Sequence, residues 1–508
     1  MSAEERGAVT TPGGDRTTAT AAGPATRVEQ NGINVIAESE RKGVPRDLFW
    51  PWCAANISVL GISYGSYILG FGVSFGQALV AAVVGIVFSF FLVGIIGLSG
   101  KRGSAPTMIT SRAPFGVQGN SIPAAVSYLL LVGWETVLCA LATLATATVF
   151  GRLGWGDGDV TKVLAFLTVA AIIVVAGVFG FDVIMRLQTV LTVALAVLTV
   201  GYVLLTADHI SWSAVSQAPA GSGQAWIGAL VFAMTGFGLG WVNAGGDYSR
   251  YLPRTASGRG VVAWTTVGAS VAPLVLVFYG LLLAGSDPEL SSAIGSDPVG
   301  ALTTLLPTWY LVPFALVAIG GLIGGAVLDI YSSGLALLTL GLRVPRWTAA
   351  AIDGVVMILG TIYFVWVAEN FFFPFQGFLI TLGVPIAAWC GVFVADLLIR
   401  RRDYSDSGLF DPRGRYGAFG LPAVVTMLLA TAVGWGLVTN TFAESLSWQG
   451  YLLGPLGLGG REGAWAFANV GVLAALVIGF VGYLVSAQAA VRRQEDAGDA
   501  FAGGVRDV

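Results

Sequence analysis

Hydrophobic residues gather in long runs along this chain, and polar residues fill mostly short gaps between the runs. In a window of about 19 residues, the length suited to finding membrane-spanning helices, twelve apolar segments stand out. Each approaches or exceeds the roughly 20 residues that a helix needs to cross the hydrocarbon core of a bilayer. The pattern therefore predicts an all-α integral membrane protein with twelve transmembrane helices. The segments are residues 48–71, 77–98, 122–150, 162–180, 183–206, 225–246, 261–284, 311–341, 348–368, 373–399, 418–439 and 465–487.

Lysine and arginine set the orientation, because cytoplasmic loops carry an excess of both. With the N-terminus inside, all but three of the 26 basic residues fall on the cytoplasmic side; Arg152, Lys162 and Arg461 are the exceptions. An odd number of spans would destroy this asymmetry. We expect a multi-pass protein of the cell membrane with both termini in the cytoplasm.

Composition narrows the class of protein. Only 11% of the 508 residues are charged, against about 25% in soluble proteins. The net charge of −3 offers no basic surface for a nucleic acid. Three separated cysteines and a single histidine give no motif for a metal, a haem or a disulfide framework. We expect no cofactor, no metal and no nucleic-acid partner.

Two segments are rich in glycine and small polar residues. The first contains Asn56, Ser58 and several glycines, and the sixth reads TGFGLGWVNAGG around Phe237 and Trp241. Each glycine weakens a helix by about 1 kcal/mol relative to alanine. A break at membrane depth is tolerated only where the freed backbone groups line a cavity or are buried in protein. The alternative is that these glycines form a close-packing surface between helices.

The two segments enter the membrane from opposite sides and occupy matching places in two halves of the chain. Paired interrupted helices of this kind point to a binding site near the midplane. We therefore expect an inverted repeat. The expected divisions are a disordered tail at 1–44, a twelve-helix domain at 45–490, repeats at about 45–206 and 225–400, extra helices at about 418–487, and a second disordered tail at 491–508.

Acidic residues inside spans are costly to insert and often functional. Asp329 lies mid-span with no basic residue within a turn or two, so it could carry a proton or bind two N–H donors of a substrate. Its alternative role is a carboxylic acid bonded into the bundle. Glu135 directly follows Trp134, so the two side chains point about 100° apart on a helix. Asp396 and Arg400 have the spacing of a helical ion pair.

Aromatic side chains could supply the other half of a site. Trp134 is mid-span, away from the interfacial belt. Phe237 and Trp241 lie four residues apart and share a helix face. Such rings hold planar ligands by stacking. The alternative is ordinary core packing.

Several motifs together resemble the nucleobase–cation symporter-1 family, and most closely its purine–cytosine permease branch. They are the loop at 99–123, GW at 133–134, GWVNAGGDYSRYLP at 240–253 and IYSSGL at 330–335. The resemblance implies a leucine-transporter-type fold of five plus five inverted helices with two C-terminal helices. It also implies alternating access and import of a heterocycle with a cation.

By position, the resemblance implies that Trp134 stacks on the base, together with Phe237 or Trp241. Asp329 falls near a base-edge position, and Ser58 with Asn56 falls in the first helix break. Sodium-coupled relatives use two hydroxyls in the eighth helix, where this chain has glycines 324 and 325. Serines 332 and 333 lie nearby and would restore the site in another register.

The expected function is secondary active import of cytosine or purines, with Asp329 and Glu135 as coupling residues for a proton. The partners are then a small-molecule nucleobase, a proton or sodium ion, and the lipid bilayer. Other cargoes remain open, namely allantoin, hydantoin, uracil or a vitamin heterocycle. A channel is an alternative from a different class, and an enzyme is not expected.

Overall fold

The computed structural model describes the backbone of residues 32–179, 181–341, 344–440 and 444–501, and its regular structure there is entirely helical. Eight helices of this part are long and apolar enough to cross a membrane, or nine if one bent pair counts as a single span. Broken or shorter helices take the other places in the predicted order. We number the spans 1 (Phe49–Asn56 and Leu60–Leu69), 2 (Phe75–Gly103), 3 (Ser121–Arg152), 4 (Asp159–Phe179), 5 (Phe181–Thr206), 6 (Gly223–Gly236 and Gly238–Trp241), 7 (Gly258–Ser286), 8 (Thr308–Thr339), 9 (Arg346–Ile362), 10 (Phe372–Ile399), 11 (Leu421–Trp435) and 12 (Gly471–Ser486).

Spans 1 and 6 are both interrupted, as their glycine content predicts. The first half of span 1 ends at Asn56, and Ile57 has an extended conformation with φ −81° and ψ 95°. In span 6 the helix stops at Gly236, and Phe237 leaves the helical region with φ −118° and ψ −104°. The predicted helix breaks are confirmed.

Protein groups satisfy part of the backbone freed at the break in span 6. The Tyr64 hydroxyl of span 1 donates to the Gly236 carbonyl at 3.1 Å. The Gly238 N–H donates to Ser89 Oγ of span 2, also at 3.1 Å. Without such partners, each buried polar group would cost several kcal/mol in a membrane. These bonds hold the unwound segment at a fixed place between spans 1 and 2.

Matching members of the two halves pack on each other. Span 3 runs along span 8, and span 2 along span 7, as a two-fold relation between inverted repeats requires. Glycine also serves close packing, the alternative considered above. A Cβ atom on Gly65 would lie 2.2 Å from the Gly280 carbonyl carbon, so spans 1 and 7 are in backbone contact there. Glycine therefore accompanies the helix breaks at some positions and allows close packing between helices at others.

The chain ends differ from the expected tails. Within 1–44, residues from 32 onward pack against one end of the domain, which we call the inner side because the predicted orientation places it in the cytoplasm. Ile36 is fully buried and its N–H donates to the Ser104 carbonyl at 2.7 Å. The Lys42 N–H likewise donates to the Tyr251 carbonyl. Ile33, Val35 and Ile36 are too few, in a largely polar stretch, to form a long hydrophobic run, so the pattern missed this docking. The earlier part of this tail lies outside the described residues.

The second expected tail begins inside a helix, Gln488–Phe501, which bends by 59° from span 12. Gln494 Oε1 accepts from Arg400 Nη2 at 2.8 Å, and Glu495 Oε1 accepts two backbone N–H groups just after span 10. The disordered tail predicted from residue 491 was therefore wrong as far as Phe501. Polar residues formed a helix because the loop after span 10 supplies their partners.

The predicted pair of Asp396 and Arg400 is present at the inner end of span 10. Arg400 Nη2 lies 2.8 Å from Asp396 Oδ1, and both side chains are almost wholly buried. The Tyr483 hydroxyl of span 12 donates to the same carboxylate oxygen at 2.8 Å. The pair thus joins spans 10 and 12, a structural role.

Candidate substrate-binding site

A cavity lies between the two helix breaks, and residues of spans 1, 3, 6 and 8 line it. All six residues predicted to bind substrate are in its wall, whereas Glu135 is not. The wall also contains several residues that the sequence did not single out. The lining consists of Ala55, Asn56, Ser58, Leu60, Gly61, Tyr64, Trp134, Leu138, Gly236, Phe237, Trp241, Gly321, Gly325 and Asp329.

Aromatic rings form much of the wall. Phe237 packs against Tyr64, with ring centroids 4.5 Å apart and planes tilted by 43°. Trp241 meets the edge of Trp52 at 5.9 Å on the inner side. Both aromatic residues of span 6 therefore line one space, although the sequence alone left open which of them would. Stacking surface for a flat ligand is present on spans 3 and 6.

Trp134 approaches the unwound part of span 6 because a glycine faces it. A Cβ atom on Gly240 would lie 2.9 Å from Trp134 Nε1, so any larger residue would push the indole aside. The indole N–H is buried and has no hydrogen-bond partner among the described residues. An unpaired buried donor on a cavity wall indicates a missing polar partner.

Polar groups complete the wall. Ser58 Oγ is also without a described partner. The Asn56 amide donates to the Trp52 carbonyl at 2.9 Å, so this donor serves the helix end. Asp329 is 3% exposed, and the ion pairs among the described residues do not include it. An apolar pocket with a few convergent polar groups is the usual form of a small-molecule site.

Sequence reasoning missed part of this wall, although a signal was available for some of it. Gly321, Gly325 and Asp329 are spaced by four residues, which places them on one face of span 8. Two glycines on the face of a lone acid leave room beside its carboxyl group. Tyr64 carried no comparable signal, because its role depends on the break in another span.

Glu135 lies behind the cavity, as its angular offset from Trp134 predicted. Ser333 Oγ is 2.5 Å from Glu135 Oε1 and 2.8 Å from Asp353 Oδ2 of span 9. Ser332 Oγ donates to Asp247 Oδ2 at 3.4 Å. Both serine hydroxyls of span 8 are therefore engaged with carboxylates.

A second, larger space opens toward the opposite ends of the spans, which we call outer because the predicted orientation places them outside the cell. Its lining includes Ser66, Tyr67 and Gly295, together with Phe372 and Phe373 at the start of span 10. We call it the outer vestibule. Tyr67 and Phe372, with centroids 4.7 Å apart, stand at its base.

The inner side is closed by different rings. Trp52 packs edge-on against Tyr248 at 5.1 Å and against Trp241. Aromatic side chains thus separate the cavity from the inner face, and the outer vestibule approaches it from the opposite side. A cavity beside two broken helices, with aromatic rings closing one side and an open vestibule on the other, is the arrangement of an alternating-access transporter.

The chain belongs to the family described as permeases for cytosine and purines, uracil, thiamine and allantoin, whose family model matches residues 35–454. The expected family resemblance is confirmed by this match. The chain is therefore a multi-pass membrane permease and not an enzyme.

Curated relatives agree with this membership. YxlA of Bacillus subtilis (strain 168), whose assigned name is that of a purine-cytosine permease, is 24% identical over 461 residues, covering 86% of this chain and 93% of that protein. The purine-cytosine permease FCY2 of Saccharomyces cerevisiae is 22% identical over 467 residues, covering 85% of this chain and 82% of that protein.

Solved structures confirm the fold. Mhp1, a nucleobase-cation-symport-1 family transporter solved in a closed conformation with bromovinylhydantoin bound, superposes with a TM-score of 0.68 at 18% identity. The similarity covers 92% of this chain and 99% of Mhp1. An inward-facing conformation of Mhp1 gives a TM-score of 0.64. The predicted leucine-transporter-type architecture is thereby confirmed.

Proposed function

We propose that this protein imports a nucleobase, cytosine or a purine, across the cell membrane together with a proton. The N-terminal and C-terminal ends lie in the cytoplasm in this proposal. Residues 45–490 act as the transporter domain, with repeats at about 45–206 and 225–400. Substrate enters through the outer vestibule and leaves when the aromatic closure around Trp52 opens.

The observation that supports this function most directly is the composition of the cavity wall. Trp134, Phe237 and Trp241 offer stacking surface, while Ser58 and Trp134 present polar atoms without partners among the described residues. A nucleobase is flat, and its edge carries both donors and acceptors. Stacking together with edge hydrogen bonds is how proteins hold such a ring. The carboxyl group of Asp329 can accept two adjacent N–H groups of that edge.

The proposal of a proton rests on the ligands that span 8 offers. Sodium is a hard cation that needs several oxygen ligands. Gly325 has no side-chain oxygen, and the hydroxyls of Ser332 and Ser333 are bonded to carboxylates instead. Asp329 provides a carboxyl group beside the substrate, which can bind and release a proton. Substrate and proton would then occupy one cavity.

Uptake by purified protein in liposomes tests the function. Labelled cytosine, adenine, hypoxanthine, uracil and allantoin are offered under an inward proton gradient, an inward sodium gradient or neither. We expect saturable accumulation of cytosine or a purine with the proton gradient alone. Accumulation of only uracil, allantoin or another heterocycle would change the cargo, and a sodium requirement would replace the ion. Non-saturable flux would indicate a channel.

Replacing Asp329 separates its binding role from its coupling role. Asp329→Asn keeps the size of the side chain and removes the site for a proton. We expect uptake by the wild type to fall as the external pH rises, and uptake by the variant to lose that dependence. Asp403→Asn, at a half-exposed position in the loop after span 10, is the matched control. An Asp329→Asn variant with unchanged pH dependence would remove Asp329 from coupling.

A further inference from the structure

Behind the substrate cavity, spans 3, 8 and 9 bring together a second group of polar side chains. Glu135, Ser333 and Asp353 are each fully buried, and none of them lines the cavity. Ser333 Oγ stands between the two acids, 2.5 Å from Glu135 Oε1 and 2.8 Å from Asp353 Oδ2. We call these three residues the acid pair and its bridging serine.

Counting hydrogens shows that this arrangement needs a bound proton. A serine hydroxyl has one hydrogen to donate. If it donates to one acid, the contact with the other acid is a hydrogen bond only when that carboxyl group carries a proton and donates it to Ser333 Oγ. If both acids were ionised, Ser333 Oγ would lie within hydrogen-bond distance of one carboxylate oxygen with no hydrogen atom between the two. We propose that Glu135 and Asp353 share one proton through Ser333, and that this pair holds the transported proton during the cycle.

The surroundings of the pair favour a proton over two negative charges. Glu135 Oε2 and Asp353 Oδ1 are buried without partners among the described residues, and an ionised oxygen in that position is costly. In the described part of the chain, the ionisable groups near the pair are Asp329 on span 8, and Tyr128 and Cys139 on span 3, and none of these carries a positive charge.

No ion pair in the described part of the chain involves Glu135 or Asp353. Two like charges sharing one buried place cannot both be retained without compensation, so one acid keeps its proton.

The position of the pair links the cavity to the inner side of the membrane. Asp329 precedes Ser333 by four residues, about 6 Å along span 8, so the two residues lie on one face of that helix. On the other side of the pair, half-buried Tyr128 lies near Asp353. Tyr128 and Asp353 are each seven residues from the inner starts of spans 3 and 9. The acids therefore form a line from the cavity toward the cytoplasm.

A proton moves along this line in one balanced exchange. The pair releases its shared proton to water at the inner side while the O–H bond of protonated Asp329 breaks and a new O–H bond forms on Glu135. Asp329 keeps the electron pair as a carboxylate, and the pair keeps one proton throughout. This use of the shared proton rests on the proposed function, whereas the sharing itself does not.

Transport assays test the role of the pair in coupling. Glu135→Gln and Asp353→Asn are compared with wild type and with Asp403→Asn for base binding, for exchange at equal pH and for accumulation under a proton gradient. We expect both variants to bind and exchange the base but to lose accumulation. Accumulation with the pH dependence of the wild type would overturn this role, and so would a loss of base binding in both variants, which would indicate structural damage.

Infrared spectroscopy tests the shared proton without any substrate. The purified wild type at neutral pH should show the C=O stretch of a protonated carboxyl group. The component of that band contributed by the pair should persist in Asp329→Asn and be lost in the double variant Glu135→Gln, Asp353→Asn. Absence of a band that depends on the pair would overturn the inference. If the wild type imports none of the offered bases, the proposed function fails, and the infrared band still decides whether the pair shares a proton.

Discussion

At the scale of the residue, Trp134 combines a flat face with a buried N–H that lacks a described partner. Its position depends on the glycine opposite, because a Cβ atom on Gly240 would lie 2.9 Å from the indole nitrogen. The edges of Phe375 and Phe378 of span 10, at 5.5 and 6.0 Å, hold the indole from the other side. The ring is thus fixed before any ligand arrives, which reduces the entropy lost on binding.

Removing the indole should weaken binding of the base strongly. Stacking of a base on an aromatic side chain contributes about 1–3 kcal/mol, so Trp134→Ala should reduce affinity by roughly 5- to 150-fold. Binding of a labelled base to purified protein measures this change. Trp309→Ala, at a 70% exposed tryptophan at the outer end of span 8, is the control and should bind as wild type does. Equal affinity of both variants would contradict a stacking role for Trp134.

A methyl group added opposite the indole should also lower the affinity for the base, although the ring itself remains. In Gly240→Ala the new Cβ atom displaces Trp134, so we expect weaker binding but retained folding. Gly76→Ala is the matched control, because a Cβ atom there meets nothing within 4 Å. Affinity measured in the same binding assay separates the two. Unchanged affinity in Gly240→Ala would show that the indole does not depend on close contact with span 6.

At the scale of the element, the ends of spans 10 and 12 are held by one buried ion pair. Asp396 accepts from Arg400 twice, at 2.8 and 2.9 Å, and from the Tyr483 hydroxyl. Arg400 also reaches Gln494 of the C-terminal helix. Three helices therefore share this contact, and its loss would leave a buried guanidinium without its counter-charge.

Breaking this pair should destabilise the protein far more than breaking a surface pair. Asp396→Asn should cost about 3–5 kcal/mol, the usual result of leaving one buried charge uncompensated. Asp403→Asn, whose partner Arg102 lies 3.5 Å away at a more exposed position, should cost at most about 1 kcal/mol. Thermal unfolding in detergent measures both. Similar melting temperatures for the two variants would show that the buried pair does not fasten these helices.

The sequence predicted some features of the helices and missed others. The breaks in spans 1 and 6 were predictable because glycine density and matching positions are local features of the chain. Tyr64 was not, because its hydroxyl caps Gly236 in a different span, and that contact exists only after folding. The helix beyond Gln488 was missed for the same reason, since Arg400 and the loop after it provide the partners of Gln494 and Glu495.

The candidate site likewise combines residues that were recognisable from the sequence with a contact that was not. Trp134, Asp329 and the aromatic residues of span 6 were recognisable because polar or aromatic groups are unusual in mid-span. The link between Glu135 and Asp353 was not, because it depends on Ser333 standing between three spans. Short-range patterns thus predicted residues that line the cavity, and tertiary contacts decided which of two neighbouring groups each residue joined.

At the scale of the whole molecule, the outer vestibule and the inner aromatic closure imply that access changes sides during transport. Gly295 lines the outer vestibule, and a Cβ atom there meets nothing within 4 Å. A cysteine at this position can therefore report on outward access. The native thiols do not interfere once Cys53, Cys139 and Cys390 are replaced. Gly158 between spans 3 and 4 is a matched control site, with equally open space.

Labelling of Gly295→Cys from outside should slow when a transported base is added at low external pH. The base and proton together favour closure of the outer vestibule, and a ligand shifts a conformational equilibrium by its difference in affinity for the two states. A membrane-impermeant thiol reagent on intact cells measures the rate. Labelling of Gly158→Cys should stay constant, and reaction of both sites from outside would also establish the orientation. An unchanged rate at Gly295→Cys under a base that is demonstrably transported would contradict closure of this vestibule, because alternating access requires the outer path to shut before the inner one opens.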